Sequence, residues 1–116
     1  MSKKNVTVEV KDKGIIVIEP KGNFVGGEET DELRDTIKNL AEGGNKNLII
    51  DLGGVLYLNS TALGVLISAH ANYTKREGKI KLCQLSKNLE NLFVITKLAL
   101  IFDTYASQAE ALASFN

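Results

Sequence analysis

Apolar and polar residues alternate near the start of the chain and recur at helical spacing further along. Valines alternate with polar residues over Val6–Val10, which is typical of a half-buried strand. The Lys13-Gly14 pair predicts a turn into a second apolar run, Ile15–Ile18. The two runs are therefore predicted to form a β-hairpin.

Two segments have the periodicity of amphipathic helices. One begins with acidic residues at Glu28, carries an apolar stripe and ends at Gly43. The other, Ser60–Arg76, groups its apolar residues at intervals of three and four and ends before Gly78. Between them, Leu48–Ile50 is a continuous apolar run, which favours a strand covered on both faces.

Shorter patterns complete the chain and indicate the fold class. They predict a strand near Ile80, a helix over Leu89–Thr96, a strand over Ile101–Tyr105 and a closing helix over Gln108–Ser114. The predicted order is ββαβαβαβα, in which helices act as crossover connections between parallel strands. The sequence therefore predicts a single α/β domain over residues 1–116, with a mixed β-sheet of four to five strands covered by α-helices.

Composition and charge narrow the functional classes. The chain has 116 residues with 14 Lys and Arg against 14 Asp and Glu, so it has no net charge with which to hold a polyanion. We therefore expect no direct nucleic-acid partner and no membrane partner. No apolar run approaches the ~20 residues of a transmembrane helix, and the single cysteine, Cys83, suits a reducing compartment. These features predict a soluble cytoplasmic protein.

The sequence offers little catalytic chemistry. His70 is the only histidine and has no second ligand or nucleophile at a suitable spacing. The Gly22–Gly27 segment lacks the spacing of a phosphate-binding loop, and the acidic residues after it complement the dipole of the helix that they begin. We therefore expect no catalytic residue, no metal and no cofactor. A small enzyme or nucleotide-binding protein is an alternative that rests only on His70 and the Gly26-Gly27 pair.

Three small polar residues, Asn59, Ser60 and Thr61, lie where the second predicted helix begins. As helix caps, such side chains accept hydrogen bonds from free amides of the first turn and contribute about 1 kcal/mol. A hydroxyl at this place has a second property, because the N-terminus of a helix favours added negative charge. The segment is therefore either a helix cap alone or also a site of phosphorylation.

The same residues carry a family resemblance. Leu48–Leu52, the spacer Gly53–Leu58 and Asn59–Val65 strongly resemble the STAS domain family, in particular the small stand-alone anti-sigma factor antagonists of bacteria. The resemblance implies a sheet backed by helices, no enzymatic activity, and phosphorylation of Ser60 by an anti-sigma factor of the serine-kinase type. It further implies that phosphorylation releases this partner and that a PP2C-type phosphatase restores binding.

A partner-binding surface around Ser60 follows from this resemblance. The loop after the second strand is expected at the same edge of the sheet, so Asn23 and an exposed Phe24 are candidate contacts, although Phe24 is equally well interpreted as a core residue. The predicted contacts are Asn23, Phe24, Asn59, Ser60, Thr61, Ala62 and Leu63.

Two positions depart from the family pattern. Asn59 stands where aspartate is usual, and Ala62 stands where glycine is usual. Asn59 keeps a side-chain oxygen for capping but removes a charge beside the acceptor hydroxyl. These departures favour a second hypothesis, a non-switching STAS subunit of a signalling or lipid-transport complex in which Ser60 is only a cap. Both hypotheses leave open a weak homodimer.

Overall fold

The computed structural model describes residues 5–116, so the first four residues of the predicted domain lie outside the described residues. The strands are β1 (Val6–Val10), β2 (Ile15–Phe24), β3 (Asn47–Asp51), β4 (Gly54–Leu58), β5 (Lys79–Cys83) and β6 (Asp103–Tyr105). The helices are α1 (Glu28–Glu42), α2 (Ser60–Lys75), α3 (Lys87–Ile95) and α4 (Gln108–Ala113). Short 3-10 turns lie at Asp12–Gly14 and Leu98–Leu100.

The sheet is mixed, and β2 joins its parts. β1 pairs antiparallel with β2, and the remaining neighbours are parallel in the order β1-β2-β3-β5-β6. β2 is long enough to pair with two strands, because Ile15–Ile18 pairs with β3 and Lys21–Phe24 pairs with β4. The α/β class, the mixed sheet and the covering helices predicted from the sequence are confirmed.

Alternate residues of the central strands face two separate apolar clusters. The larger cluster lies between the sheet and α1, α2 and α3. Its fully buried members include Ile18, Leu33, Leu48, Ile50, Leu66, Leu82 and Phe93. The smaller cluster contains Ile15, Val17, Ile49, Cys83 and, from α4, Ala111. The sheet is therefore covered on both faces, which explains why the run in β3 is continuously apolar.

The structure corrects the predicted strand count. The sequence predicts four to five strands and treats Gly53–Leu58 as a spacer, whereas the described residues form six strands. Pro20, Gly22 and Gly54 weaken the strand pattern of the two segments concerned, because proline and glycine are depleted in strands. The second half of β2 and β4 pair with each other, so each becomes a strand through a partner that local sequence does not show.

Helix α2 is fixed at its C-terminal end by contacts with the end of α1 and the loop after it. The hydroxyl of the buried Tyr73 donates to Asn45 Oδ1 at 2.7 Å, and Arg76 Nη1 donates to the Ala41 carbonyl oxygen at 3.0 Å. Burial raises the pKa of Tyr73 to about 12, so its hydroxyl stays protonated at neutral pH. These contacts hold α2 in place and therefore help to position its first residue.

Candidate functional site

Ser60 lies where the parallel strands β2 and β4 end and α2 begins. Phe24 pairs with Leu58 at the ends of these strands, and the Asn59 amide donates to the Phe24 carbonyl oxygen at 3.0 Å. Ser60 follows as the first residue of α2. The strand pairing therefore brings Asn23 and the Ser60 motif to the same end of the sheet.

Asn59 is the N-cap of α2. Its Oδ1 accepts a hydrogen bond from the Ala62 amide at 3.0 Å, and its carbonyl oxygen accepts from the Leu63 amide at 2.9 Å. Within residues 5–116, the side-chain hydroxyls of Ser60 and Thr61 take no part in this cap. Asn59 thus supplies the oxygen that an aspartate would supply, and the helix does not need Ser60 as its cap.

The polar centre of the site is exposed. Asn23, Ser60 and Thr61 all face solvent, and the loop between β2 and α1 lies beside them. A side-chain carbon placed on Gly26 would lie 3.4 Å from Thr61 Cβ. Gly26 has a φ of +88°, a conformation that favours glycine. This loop therefore packs against Thr61 in the first turn of α2.

Glu29 fixes the conformation of that loop. Its Oε2 accepts hydrogen bonds from the Thr30 hydroxyl at 2.6 Å, the Val25 amide at 2.8 Å and the Gly27 amide at 3.1 Å. The hydrogen bond from Thr30, followed by that from Val25, lowers the pKa of Glu29 to about 2. The acidic start of α1 therefore has a structural role next to the site.

Three of the predicted contact residues are buried. Phe24 and Ala62 are 0% exposed and Leu63 is 8% exposed. The expectation of an exposed Phe24 is wrong, and its alternative as a core residue is correct, because β2 extends to Phe24 and turns its ring into the larger apolar cluster. The Ala62 methyl group likewise faces this cluster, not the surface. These residues support the site from beneath.

Two exposed apolar side chains at this end of the sheet were not predicted. Val25 is 53% exposed, and Tyr57, which pairs with Asn23, is 52% exposed. The local sequence gives little indication of an exposed Tyr57, because this residue lies in Gly53–Leu58, the segment interpreted above as a spacer. An exposed polar group among apolar side chains is typical of a protein interface. We call the exposed residues Asn23, Val25, Tyr57, Ser60 and Thr61 the Ser60 surface.

The groups considered for catalysis lie elsewhere. His70 Nδ1 is buried without a hydrogen-bond partner in the described residues, and its ring contacts Phe102 edge-on at 5.1 Å between centroids. Burial, followed by the charges of Asp51 and Glu19, raises the pKa of Cys83 to about 12, which makes it a poor nucleophile. Over residues 5–116, no group of three or more His, Cys, Asp or Glu side chains could hold a metal ion.

The helices of the described segment are also too short or too polar to cross a lipid bilayer. This agrees with the sequence, in which no apolar run has the length of a membrane span.

Comparisons with known proteins agree on one family. A model of the STAS domain matches residues 6–111. The anti-sigma-B factor antagonist of Bacillus subtilis (strain 168) is 42% identical over 74 residues, which cover 64% of this chain and 67% of that protein.

Solved structures share the fold. An anti-sigma factor antagonist from Mycobacterium paratuberculosis has a TM-score of 0.76 at 24% identity, covering 98% of this chain and 97% of that chain. The Bacillus cell fate determinant SpoIIAA, in its phosphorylated form, has a TM-score of 0.76 at 16% identity, covering 96% of this chain and 99% of that chain. Because the family model spans nearly all of the described residues, the chain belongs to the STAS domain family.

Proposed function

We propose that this chain is an anti-sigma factor antagonist that binds its anti-sigma factor when unphosphorylated and is released when Ser60 is phosphorylated. The observation that carries the proposal is the exposed Ser60 at the start of a helix that Asn59 already caps. The name of the Bacillus subtilis relative supports the antagonist role, and the phosphorylated form of SpoIIAA supports modification of a protein with this fold.

The scaffold can accept a phosphoryl group at Ser60. The first turn of α2 contains no acidic residue, whereas the first turn of α1 contains Glu28, Glu29 and Asp31. The free amides and the dipole of a helix N-terminus stabilise added negative charge. Because Asn59 is neutral, it places no like charge beside the phosphoryl group. Modification is therefore expected to leave the fold intact.

The same group would weaken docking of a partner. A phosphoserine adds about −1.5 to −2 charges at neutral pH. This charge would lie on the same exposed surface as the apolar side chains of Val25 and Tyr57, and a partner that covers it must remove its water. A penalty of about 3 kcal/mol lowers affinity by more than about 100-fold. The switch would thus act on binding and not on folding.

The proposed partners supply the chemistry that this chain lacks. The anti-sigma factor is proposed to be a serine kinase, which transfers the γ-phosphoryl group of ATP to Ser60 Oγ and releases ADP. A PP2C-type phosphatase would then hydrolyse the phosphate ester with water and restore the free hydroxyl. The chain itself provides only the acceptor and the docking surface, and we propose that it does so in the cytoplasm.

A capture experiment in the source cell tests this proposal. The baits are the wild type, Ser60→Ala and Ser60→Asp, with Ser68→Asp as a control that adds the same charge to an exposed serine further along α2. We expect every bait except Ser60→Asp to capture the anti-sigma factor, identified by mass spectrometry. Equal capture by Ser60→Asp and wild type would refute the switch. A phosphate found only on Thr61 would move the proposed phosphorylation site from Ser60 to the next residue.

The departures at Asn59 and Ala62 favour a second candidate, a non-switching STAS subunit of a signalling or lipid-transport complex. Ser60 would then lie outside the permanent interface of the complex. This candidate predicts that kinase or phosphatase treatment leaves co-purification of the complex unchanged. It also predicts that all four baits capture the same partners.

A further inference from the structure

β1 is an edge strand whose outer side pairs with no strand in the part of the chain that the structure describes. The Lys11 amide donates to the Ile15 carbonyl oxygen, and the Lys21 amide donates to the Asn5 carbonyl oxygen. Since bonded and non-bonded pairs alternate in an antiparallel ladder, the odd-numbered residues of β1 bond to β2. The backbone amides and carbonyls of Val8 and Val10 therefore point away from the sheet.

We propose that this edge pairs antiparallel with β1 of a second copy of the chain, about a two-fold axis at Val8. Thr7–Val10 are exposed, including 47% of Val8 and 74% of Val10, so the edge is sterically free. In this register Val8 faces Val8 of the second copy, and Val10 faces Val6. The two sheets then become one continuous sheet, and the pairing closes on itself as a dimer.

Charge and the turn after β1 disfavour the registers whose axis lies further along the strand. With the axis at Val8, Thr7 faces Glu9 of the second copy, and Asn5 faces Lys11. An axis at Glu9 would place two like carboxylates directly opposite each other, which destabilises a strand pair. An axis at Val10 would place Val8 opposite Asp12, which begins a 3-10 turn and cannot continue a ladder.

The register also covers apolar surface. Opposite residues of an antiparallel pair point to the same face, so the valines of both copies form one stripe. Val10 lines a groove of about 310 Å³ together with Ile16 and Leu40. Pairing would cover the exposed side chains of Val8 and Val10, whereas Val6 is already buried in its own core. Pairs of β-branched residues across strands are stabilising. Pairing of the edge would also protect it from uncontrolled association.

The interface is expected to be weak. The Glu32 carboxylate already accepts from the Val6 amide at 3.0 Å, so the ladder rests on the backbone of Val8 and on the Val10 amides. Such a short ladder lies below the size of a standard stable interface. The edge contains no residue of the Ser60 surface, so the dimer and the proposed function are tested separately.

Sedimentation velocity of the full chain, from about 5 µM to about 1 mM, measures the dimer directly. We expect a reversible monomer–dimer equilibrium. Val8→Lys places two like charges at the axis and is expected to raise the dimer Kd at least tenfold. Val94→Lys, the same change at a valine that is 66% exposed on α3, is expected to leave it unchanged. A chain that is monomeric over the whole range, or a Val8→Lys variant that dimerises like wild type, would overturn the proposal.

Disulfide formation tests the register. Bonded antiparallel pairs have Cα atoms about 5.5 Å apart, within the range of a disulfide. Val8→Cys is therefore expected to cross-link two copies under mild oxidation, while the buried Cys83 stays reduced. Thr7→Cys is the control, because Thr7 does not face itself in this register. Cross-linking of Thr7→Cys as fast as that of Val8→Cys would contradict the axis at Val8.

Discussion

Asn59 determines how the helix that carries Ser60 begins, so replacing it tests the local structure of the site. Asn59→Ala removes the Oδ1 acceptor 3.0 Å from the Ala62 amide. Loss of an N-cap costs about 0.5–2 kcal/mol, and we expect a value in the upper half of this range because Asn59 is half-buried. Asn59→Asp keeps the acceptor and adds a charge that the helix dipole stabilises by about 0.3–1 kcal/mol.

Urea unfolding followed by circular dichroism measures these changes. With a denaturant slope of about 1–3 kcal/mol/M, a loss of about 1.5 kcal/mol lowers the midpoint by roughly 0.5–1.5 M. The control is Asn91→Ala, an exposed asparagine inside α3 that is not a cap, which is expected to leave the midpoint unchanged or to raise it, because alanine has the higher helix propensity. An Asn59→Ala midpoint equal to that of wild type would refute the role of Asn59 as the stabilising cap.

Three further predictions concern the supporting structure. Because the pKa of Glu29 is lowered from 4.5 to about 2 in the folded chain, its contribution to stability is complete above about pH 4.5 and is lost as the pH falls towards 2. Urea unfolding across this range is expected to show that the free energy of unfolding depends less on pH for Glu29→Gln than for the wild type. The same pH dependence in both proteins would argue against the Glu29 hydrogen bonds. Gly78→Ala would place a Cβ 2.7 Å from the Lys46 carbonyl oxygen, so it is expected to lower the free energy of unfolding by about 1–3 kcal/mol. Gly64→Ala is the control and is expected to be tolerated, because a Cβ at this position meets nothing within 4 Å. Burial and a pKa of about 12 predict that Cys83 reacts with a thiol reagent only on unfolding, and rapid reaction of the native chain would contradict this.

The parts of the fold with local signals were predictable from the sequence. The apolar residues of α2 recur at helical spacing, and the continuous run in β3 indicates burial on both faces. The strand β4 was not predictable in this way. Its five residues include an exposed Leu56 that lies at an irregularity in the pairing with β2, so they show no regular alternation. β4 is a strand because the second half of β2 lies beside it.

The same long-range pairing explains the errors at the site. Phe24 lies between Gly22 and the Gly26-Gly27 pair and could belong to a loop, but the pairing of β2 with β4 turns its side chain into the core. Tyr57 becomes an exposed neighbour of Asn23 for the same reason. By contrast, the position of Ser60 depends on a local signal, the change from a strand to a capped helix, and was therefore readable from sequence.

The most direct test of the switch compares the chain with and without phosphoserine at position 60. Isothermal titration against the captured anti-sigma factor gives the two Kd values, and urea unfolding of both forms gives their stability. We predict a Kd at least about 100-fold higher for the phosphorylated chain, with an unfolding midpoint that is unchanged or raised, because the helix N-terminus stabilises the added charge. Equal Kd values, or a loss of binding that accompanies unfolding of the chain, would contradict the claim that charge at Ser60 controls docking alone.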